Sequence, residues 1–514
     1  MIRLKIDDNE ISVAEGTSVL MAARSLGIEI PTMCYHEGCN NQASCQVCLV
    51  KDKNTGRLFP SCEVKAVEGM DIVTGDQEVK AARKAAIELL LSDHVGDCEA
   101  PCRVACPAFM NIPVMNRLIA KGDFQGAIRI IKKEIAMPLV LGYICTAPCE
   151  KACHRKQVDS PVSICLLKRM VAREDINRSN PFKPDMKANS GKRIAVIGAG
   201  PAGLSCAYHL LSEGHCCVLF EKDGKAGGTL RGVHGDNLPE EILDKEIALI
   251  ESYGAEICLN RRVTNEILDA EIKNNFDAVV LATGHEKEGS FSLQLSNSRK
   301  AGAVMVEPGV FACGSVVRPQ KMAVKVMAQG KEVAHMVYQY LSGNQPTKRE
   351  RPFNSRFGRL FTEEIVAYLQ ETGSDKQEVL TGCSEEFSLE EAMAEAQRCM
   401  HCDCRKPDSC KLRLYADEYQ ADRKKFQFGE RKTITKYFQH QQVVFEPAKC
   451  IKCGLCLSIT SQNGEPTGLS YSGRGFNVQV TVPFHQSLQE ALKHSAKKCV
   501  EVCPTGALSF KEEG

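Results

Sequence analysis

The chain has 514 residues, too many for one hydrophobic core, and its 65 basic and 64 acidic residues leave a net charge of +1. That balance, with no basic stripe or acidic tail, argues against a binder of nucleic acid or charged lipid. The apolar runs, such as 135–144 and 278–282, fall short of the ~18–20 residues of a membrane-spanning helix, so no direct membrane insertion is expected. Cysteine occurs 27 times. The charged start Met1-Ile2-Arg3-Leu4-Lys5 is unlike a secretory signal, and closely spaced cysteines in a long chain fit metal clusters better than disulfides. A reducing, anaerobic cytoplasm is the expected setting.

Residues 1–77 read as short strands at 2–6, 10–13, 48–50 and 71–73 with a helix over 18–26, a small ferredoxin-like domain. Within it Cys34, Cys45, Cys48 and Cys62 follow the spacing Cys-x10-Cys-x2-Cys-x13-Cys. This set, with Ile30-Pro31-Thr32-Met33-Cys34-Tyr35-His36 and Glu68-Gly69-Met70, resembles the 2Fe-2S domain of the complex I large iron-sulfur subunit and of multidomain iron hydrogenases. Four thiolates around two irons is what that resemblance implies. Cys39 lies outside the pattern and reads as a packing residue.

From 78 to 190 the pattern turns helical, led by 81–91, and is punctuated by Cys98, Cys102 and Cys106-Pro107, then, after a helix pair, by Cys145, Cys149 and Cys153. The layout, down to Cys145-Thr146-Ala147-Pro148-Cys149-Glu150 and Pro161-Val162-Ser163-Ile164, resembles the amino-terminal domain of the glutamate synthase small subunit and of dihydropyrimidine dehydrogenase. That resemblance implies two 4Fe-4S clusters with interleaved ligands: Cys98, Cys102 and Cys153 for one, and Cys106, Cys145 and Cys149 for the other. Each set is one ligand short. The run 89–98 resembles a complex I sequence in which a histidine four residues before a cysteine binds a cluster, which makes His94 the fourth ligand of the first. In the second, Lys168 stands where the family offers a carboxylate or amide, and a cation cannot bind iron. Cys165, three residues earlier on the same helical face, is the expected substitute.

A polar linker, 177–190, precedes a domain expected over 191–345. Its strand 193–197 runs into Gly198, Gly200 and Gly203 and then a helix, and a second strand, 217–220, ends at Glu221. Gly198 permits the tight turn, Gly200 the approach of a pyrophosphate and Gly203 the contact of helix with strand, while Glu221 is placed for ribose hydroxyls. With Gly227-Gly228-Thr229-Leu230-Arg231 and the segment 277–284 ending in Thr283-Gly284, the domain resembles the two-dinucleotide flavoproteins of the glutamate synthase family. FAD is the cofactor this implies, with NAD as the rival, and Gly228, Arg231, Thr283 and Gly284 join the cofactor-binding set. In that family a second Rossmann domain follows the Ala-Thr-Gly segment. Here only 26 residues separate Gly284 from Phe311, against on the order of 100 for a domain, so the NAD(P)H domain is expected to be missing. Ser315 stands where the family places an aspartate near the flavin.

The segment 346–440 reads as a connection with a helix around 363–371 and another over 390–398, leading to Cys399, Cys402, Cys404 and Cys410. These four thiols suit 4Fe-4S or zinc, and the Arg-Cys-Met-x-Cys resemblance to the same flavoprotein family favours iron. The last module, 441–514, has Cys450, Cys453, Cys456 and Cys503-Pro504 in a bacterial-ferredoxin-like layout for one 4Fe-4S cluster. Thr460 occupies the place a second cluster would need, and Cys499 reads as a bystander.

The fold class is therefore multidomain α/β: a ferredoxin-like 2Fe-2S domain, a helical 4Fe-4S domain, a Rossmann-type FAD domain and a bacterial-ferredoxin-like domain. The resemblances imply an electron-transfer iron-sulfur flavoprotein subunit with one 2Fe-2S and four 4Fe-4S clusters. It would relay electrons between an NADH-oxidising flavoprotein or ferredoxin-linked partner and a terminal hydrogenase, formate dehydrogenase or aldehyde oxidoreductase. No substrate-catalytic residues are evident. The alternatives are a self-sufficient NAD(P)H oxidoreductase and a structural or sensory iron-sulfur protein.

Overall fold

The structure, a computed structural model, describes residues 1–233, 237–285, 302–370, 372–373 and 386–511. The greater part of the shortened connection between Gly284 and Phe311, and the end of the expected helix at Glu371, lie outside the described residues. The chain forms two compact units: 1–100 with 352–371 and 401–514, and 101–351 with 372–400. Among the described residues no helix is long and apolar enough to cross a membrane.

The first unit opens with a five-stranded sheet in the order Asn9–Val13, Ile2–Ile6, Asp71–Val73, Leu49–Asp52, Leu58–Pro60. Alternation sets its faces, with Leu4 and Ile6 buried and Arg3 and Lys5 exposed. The helix Val19–Ser25 is capped by Ser18, whose hydroxyl accepts from the Met21 N–H at 3.3 Å, and it buries Val19 and Leu20 against that sheet. The strand Leu58–Pro60, ending in proline at the sheet edge, is the one element here without an expectation from sequence.

A long helix, Gln77–Asp93, begins at Asp76, whose carboxylate accepts from the Val79 N–H at 2.8 Å. Its Ile87 and Leu91 pack with Met33, Cys34, Leu412 and Leu455 in one apolar cluster, so the cysteine-bearing loop of the amino-terminal domain and the carboxyl-terminal segment share a core. That segment pairs Val443–Phe445 with Leu508–Phe510 and packs the helices Leu455–Gln462 and Ala496–Val502 beneath them.

The second unit has a helical half and a sheet half. Between Cys106 and Cys145 run three helices rather than a pair, Ile112–Ala120, Phe124–Lys132 and Pro138–Ile144, because Met137-Pro138 starts a new helix with proline in its first turn. The helix Leu389–Gln397, opened by a Ser388–Glu391 capping box, packs on Ile112–Ala120.

The sheet half has six strands in the order Ala303–Glu307, Val310–Cys313, Ala278–Leu281, Arg193–Ile197, Cys216–Phe220, Ala255–Cys258. All pairs are parallel except the first. Strand order reverses at Arg193–Ile197, which places a crevice at its carboxyl end, where such sheets bind ligands.

Candidate metal centres and dinucleotide site

In the amino-terminal domain the thiols of Cys34, Cys45, Cys48 and Cys62 are buried and mutually hydrogen-bonded. Hydrogen bonds from Cys45 and Cys62 pull the Cys34 thiol well below its usual range, and a bond from Cys62 lowers Cys48. The same bonds, with burial, raise Cys45 and Cys62, so the four thiols share protons among themselves and release them as metal binds, since the thiolate is the ligand.

In the second unit Cys106, Cys145, Cys149 and Cys165 line one small cavity together with Lys168. The Cys145 thiol is lowered by a hydrogen bond from Cys165. Cys165 leads the helix Ile164–Ile176, and its N–H donates to Glu150 Oε1 at 2.8 Å. Lys168 Nζ reaches Leu141 O at 3.2 Å and Cys165 Sγ at 3.8 Å. Burial alone would lower the Lys168 ammonium, but the thiolates of Cys165, Cys145, Cys149 and Cys106 outweigh it and hold it above its usual value. The lysine is thus a fixed positive charge beside four thiols. As a group they suit an anionic 4Fe-4S cluster.

In the carboxyl-terminal segment Cys450, Cys453, Cys456 and Cys503 line another cavity. Gly454, at φ 75°, starts the helix that carries Cys456. The Lys452 N–H donates to Cys450 Sγ at 3.3 Å. Burial pushes the Cys450 thiol up to about 11. Cys499 is wholly buried, and its thiol donates to the Cys456 carbonyl, the bond of a packing residue. Cys39 packs on this segment's core.

The remaining candidate ligands are divided between the two units. His94 and Cys98 belong to the first unit, and Cys102 and Cys153 to the second; Cys399 belongs to the second, and Cys402, Cys404 and Cys410 to the first. Within the first unit Cys98 lies beside Cys404 and Cys410, whose charges add to burial in raising its thiol to about 12. Sequence gave no sign of this grouping, because more than 300 residues separate the partners.

The dinucleotide site is built by close backbone contacts. Gly198 has φ +104°, and a Cβ there would stand 2.6 Å from the Ala282 carbonyl, so the turn through Thr283 and Gly284 packs directly on it. A Cβ on Gly203 would collide with the Gly198 carbonyl oxygen. At Gly200 a Cβ would meet nothing nearer than Gly228 Cα at 3.9 Å, which leaves the start of the helix Pro201–Ser212 open. Glu221 is 5% exposed, and its carboxylate accepts from Ala199 N at 2.8 Å and Asp223 N at 3.1 Å. Gly228 and Arg231 line a cleft of about 790 Å³ alongside. Arg231 Nε donates to Ala226 O at 2.8 Å and its guanidinium pairs with Glu240 and Asp244. The turn Gly314–Val316 carries Ser315, and Gly314 abuts Ala202 in the first turn of the helix. Open N–H groups at a helix start, glycines that admit a phosphate and a buried carboxylate at the second strand fit a dinucleotide.

One feature of the second unit has no signature in sequence. Glu246, on the helix Glu240–Ser252, is buried and accepts from Leu139 N at 3.0 Å and Val140 N at 2.7 Å, capping the helix Pro138–Ile144. Burial pushes its carboxyl up to about 7.

Comparison with known proteins matches residues 1–77 to the 2Fe-2S iron-sulfur cluster binding domain, 78–180 to dihydropyrimidine dehydrogenase domain II, 4Fe-4S cluster, and 196–259 to the NAD(P)-binding Rossmann-like domain. The chain is 34% identical over 276 residues to the NADPH-Fe(3+) oxidoreductase subunit beta of Geobacter sulfurreducens, covering 52% of this chain and 41% of that one. It is 34% identical over 250 residues to the NADP(+)-dependent formate dehydrogenase subunit beta of Moorella thermoacetica, covering 44% and 35%. With the glutamate synthase [NADPH] small chain of Bacillus subtilis it shares 31% identity over 216 residues, covering 40% and 43%. The chain spans less than half the length of each of these relatives. It joins in one polypeptide a ferredoxin-like 2Fe-2S domain, a helical 4Fe-4S domain of the dihydropyrimidine dehydrogenase type and a Rossmann-like dinucleotide-binding domain.

Proposed function

We propose that this chain is the electron-relay subunit of a multi-subunit oxidoreductase, holding FAD in its Rossmann site together with one 2Fe-2S and four 4Fe-4S clusters. The observation that carries the reading is the thiol set Cys106, Cys145, Cys149 and Cys165 in the same compact unit as the Gly198–Gly203 cradle. When bound, the clusters exchange single electrons and the flavin one or two. The residues contribute placement: buried thiols gathered in sets of four, Lys168 as a fixed cation, and a helix start open to the pyrophosphate. FAD is favoured over NAD as the resident group because Glu221, Gly228 and Arg231 match the flavoprotein pattern. Its redox partners are other oxidoreductase subunits. An NADH-oxidising flavoprotein or ferredoxin would stand on one side and a hydrogenase, formate dehydrogenase or aldehyde oxidoreductase on the other; of these, formate dehydrogenase is named among the relatives.

The test is anaerobic purification of the full chain, acid extraction and elemental analysis. The expected result is FAD at one per chain and about 18 irons. Extraction of NAD without flavin would replace the cofactor assignment, and bound zinc with about 14 irons would remove one of the four cubane clusters.

A further inference from the structure

We propose that the surface formed by Phe109 and the segment 346–351 of the second unit docks a small acidic iron-sulfur carrier of the ferredoxin kind, which exchanges single electrons with the Cys106 thiol set. This deepens the electron-relay reading and rests on it.

Cys106 lines the thiol cavity of the second unit. Three residues on, the chain turns back, and the Phe109 N–H donates to the Cys106 carbonyl at 2.9 Å. The turn leaves Phe109 at φ 57°, in the left-handed region that a bulky residue seldom occupies. Its ring is half-buried and carries two guanidiniums, that of Arg103 at 4.7 Å and that of Arg351 at 4.8 Å from the centroid. Stacking holds Arg351 by its flat face and leaves the edge N–H groups to meet a carboxylate. A charged, aromatic contact point thus lies one turn of chain from a thiol of the cluster set.

Cations continue along the surface. Lys348, Arg349 and Arg351 are exposed, and Glu350 is the one acidic residue of 346–351. Burial raises the carboxyl of Glu332, on the helix Ala323–Leu341, and the charges of Lys348 and Arg351 counter it. Glu134 is shared between Lys331 and Arg349, the latter at 3.6 Å. Burial, with the charges of Arg349, Lys133 and Arg103, holds the Lys331 ammonium below its usual value. Cations outnumber the carboxylates set against them here, although the chain as a whole carries only +1. Such a local field draws an acidic partner and speeds its encounter without a large buried area. Val324 of the same helix lines the Cys106 cavity, so patch and thiol set share one element. In the transfer the carrier's reduced cluster loses one electron and the cluster of the Cys106 set gains it; no bond forms or breaks and no proton moves.

The experiment uses the anaerobically purified full chain, its clusters first counted by dithionite reduction, mixed in stopped flow with a reduced, strongly acidic bacterial ferredoxin. The second-order rate constant is expected to fall about tenfold or more as salt is raised to about 0.5 M. Lys348→Glu and Arg351→Glu should each slow the reaction about tenfold at low salt. Reduced methyl viologen, itself a cation, should react no more slowly with these variants than with the parent. Carbodiimide, which joins amines to carboxylates, should couple the ferredoxin to Lys348 or Lys133 of the unmutated protein, as mapped by mass spectrometry. A rate that ignores salt, variants as fast as the parent with ferredoxin, equal slowing with viologen, or cross-links confined to other lysines would each overturn the docking site. The cross-link needs no substitution, so it decides even where a variant fails to fold. A chain that dithionite shows to hold no cluster would instead sink the electron-relay reading.

Discussion

Lys168 shows how one residue changes what a thiol set can do. A buried ammonium near Cys106, Cys145, Cys149 and Cys165 stabilises the more negative, reduced form of a cluster bound there. Lys168→Met, similar in length and uncharged, should therefore lower the potential of that cluster by about 60 mV or more, equivalent to ~1.4 kcal/mol for one electron. A redox titration of the isolated chain followed by electron paramagnetic resonance measures it, and an unchanged midpoint would remove the lysine from the electrostatics of the site. Cys165→Ser should weaken or lose the same cluster, because a hydroxyl oxygen is a harder and poorer iron ligand than a thiolate; iron analysis reads the loss. Cys165 was legible in sequence as one helical turn from a misplaced lysine. That the lysine itself contributes was not, since its meaning depends on what surrounds its Nζ.

Between elements the decisive contacts are backbone ones. Gly203→Ala would push a methyl into the Gly198 carbonyl, so the helix Pro201–Ser212 must shift away from the strand Arg193–Ile197. The expected outcome is a chain destabilised by ~1–3 kcal/mol that purifies without its dinucleotide while keeping its full iron content. Glu246 joins the helix Glu240–Ser252 to the start of Pro138–Ile144. Its folded carboxyl, raised to about 7, binds a proton more tightly than the unfolded one near 4.5. The folded state therefore holds more protons between those values, and the contribution of this group to stability falls as pH rises from about 4.5 to about 7. Glu246→Gln should flatten that part of the stability profile and cost ~1–3 kcal/mol, because an amide leaves one of the two N–H groups unpaired. Chemical denaturation of the anaerobic protein at a series of pH values gives both quantities.

For the whole molecule, the open question is whether a pyridine nucleotide reduces this chain directly. The described residues contain one glycine-rich turn of the phosphate-binding kind, in a stretch matched by an NAD(P)-binding Rossmann-like domain, and FAD is the group proposed to occupy it. The isolated, FAD-loaded chain should then be reduced by dithionite or through its clusters but not by NADH or NADPH. Stopped-flow mixing with excess nucleotide checks this, and rapid flavin bleaching would promote the self-sufficient oxidoreductase reading.

By itself the sequence picked out groups that the fold brings together: the thiols of Cys34, Cys45, Cys48 and Cys62, the set at Cys450, and the glycine turn that opens the Rossmann sheet. Each is encoded within one or two consecutive elements, where spacing alone fixes which side chains can meet. The helix count between Cys106 and Cys145 was read one short, because apolar periodicity continues across Met137-Pro138 although the proline begins a new helix. Only the tertiary structure decided which distant cysteines are neighbours. Residues 401–514 fold with 1–100 as one unit and 101–351 with 372–400 as another, so proximity in sequence around Cys98–Cys102 and Cys399–Cys404 does not report the unit to which each thiol belongs. The physical reason is that a shared apolar core, Ile87 and Leu91 with Leu412 and Leu455, brings the two ends of the chain together regardless of the residues between them.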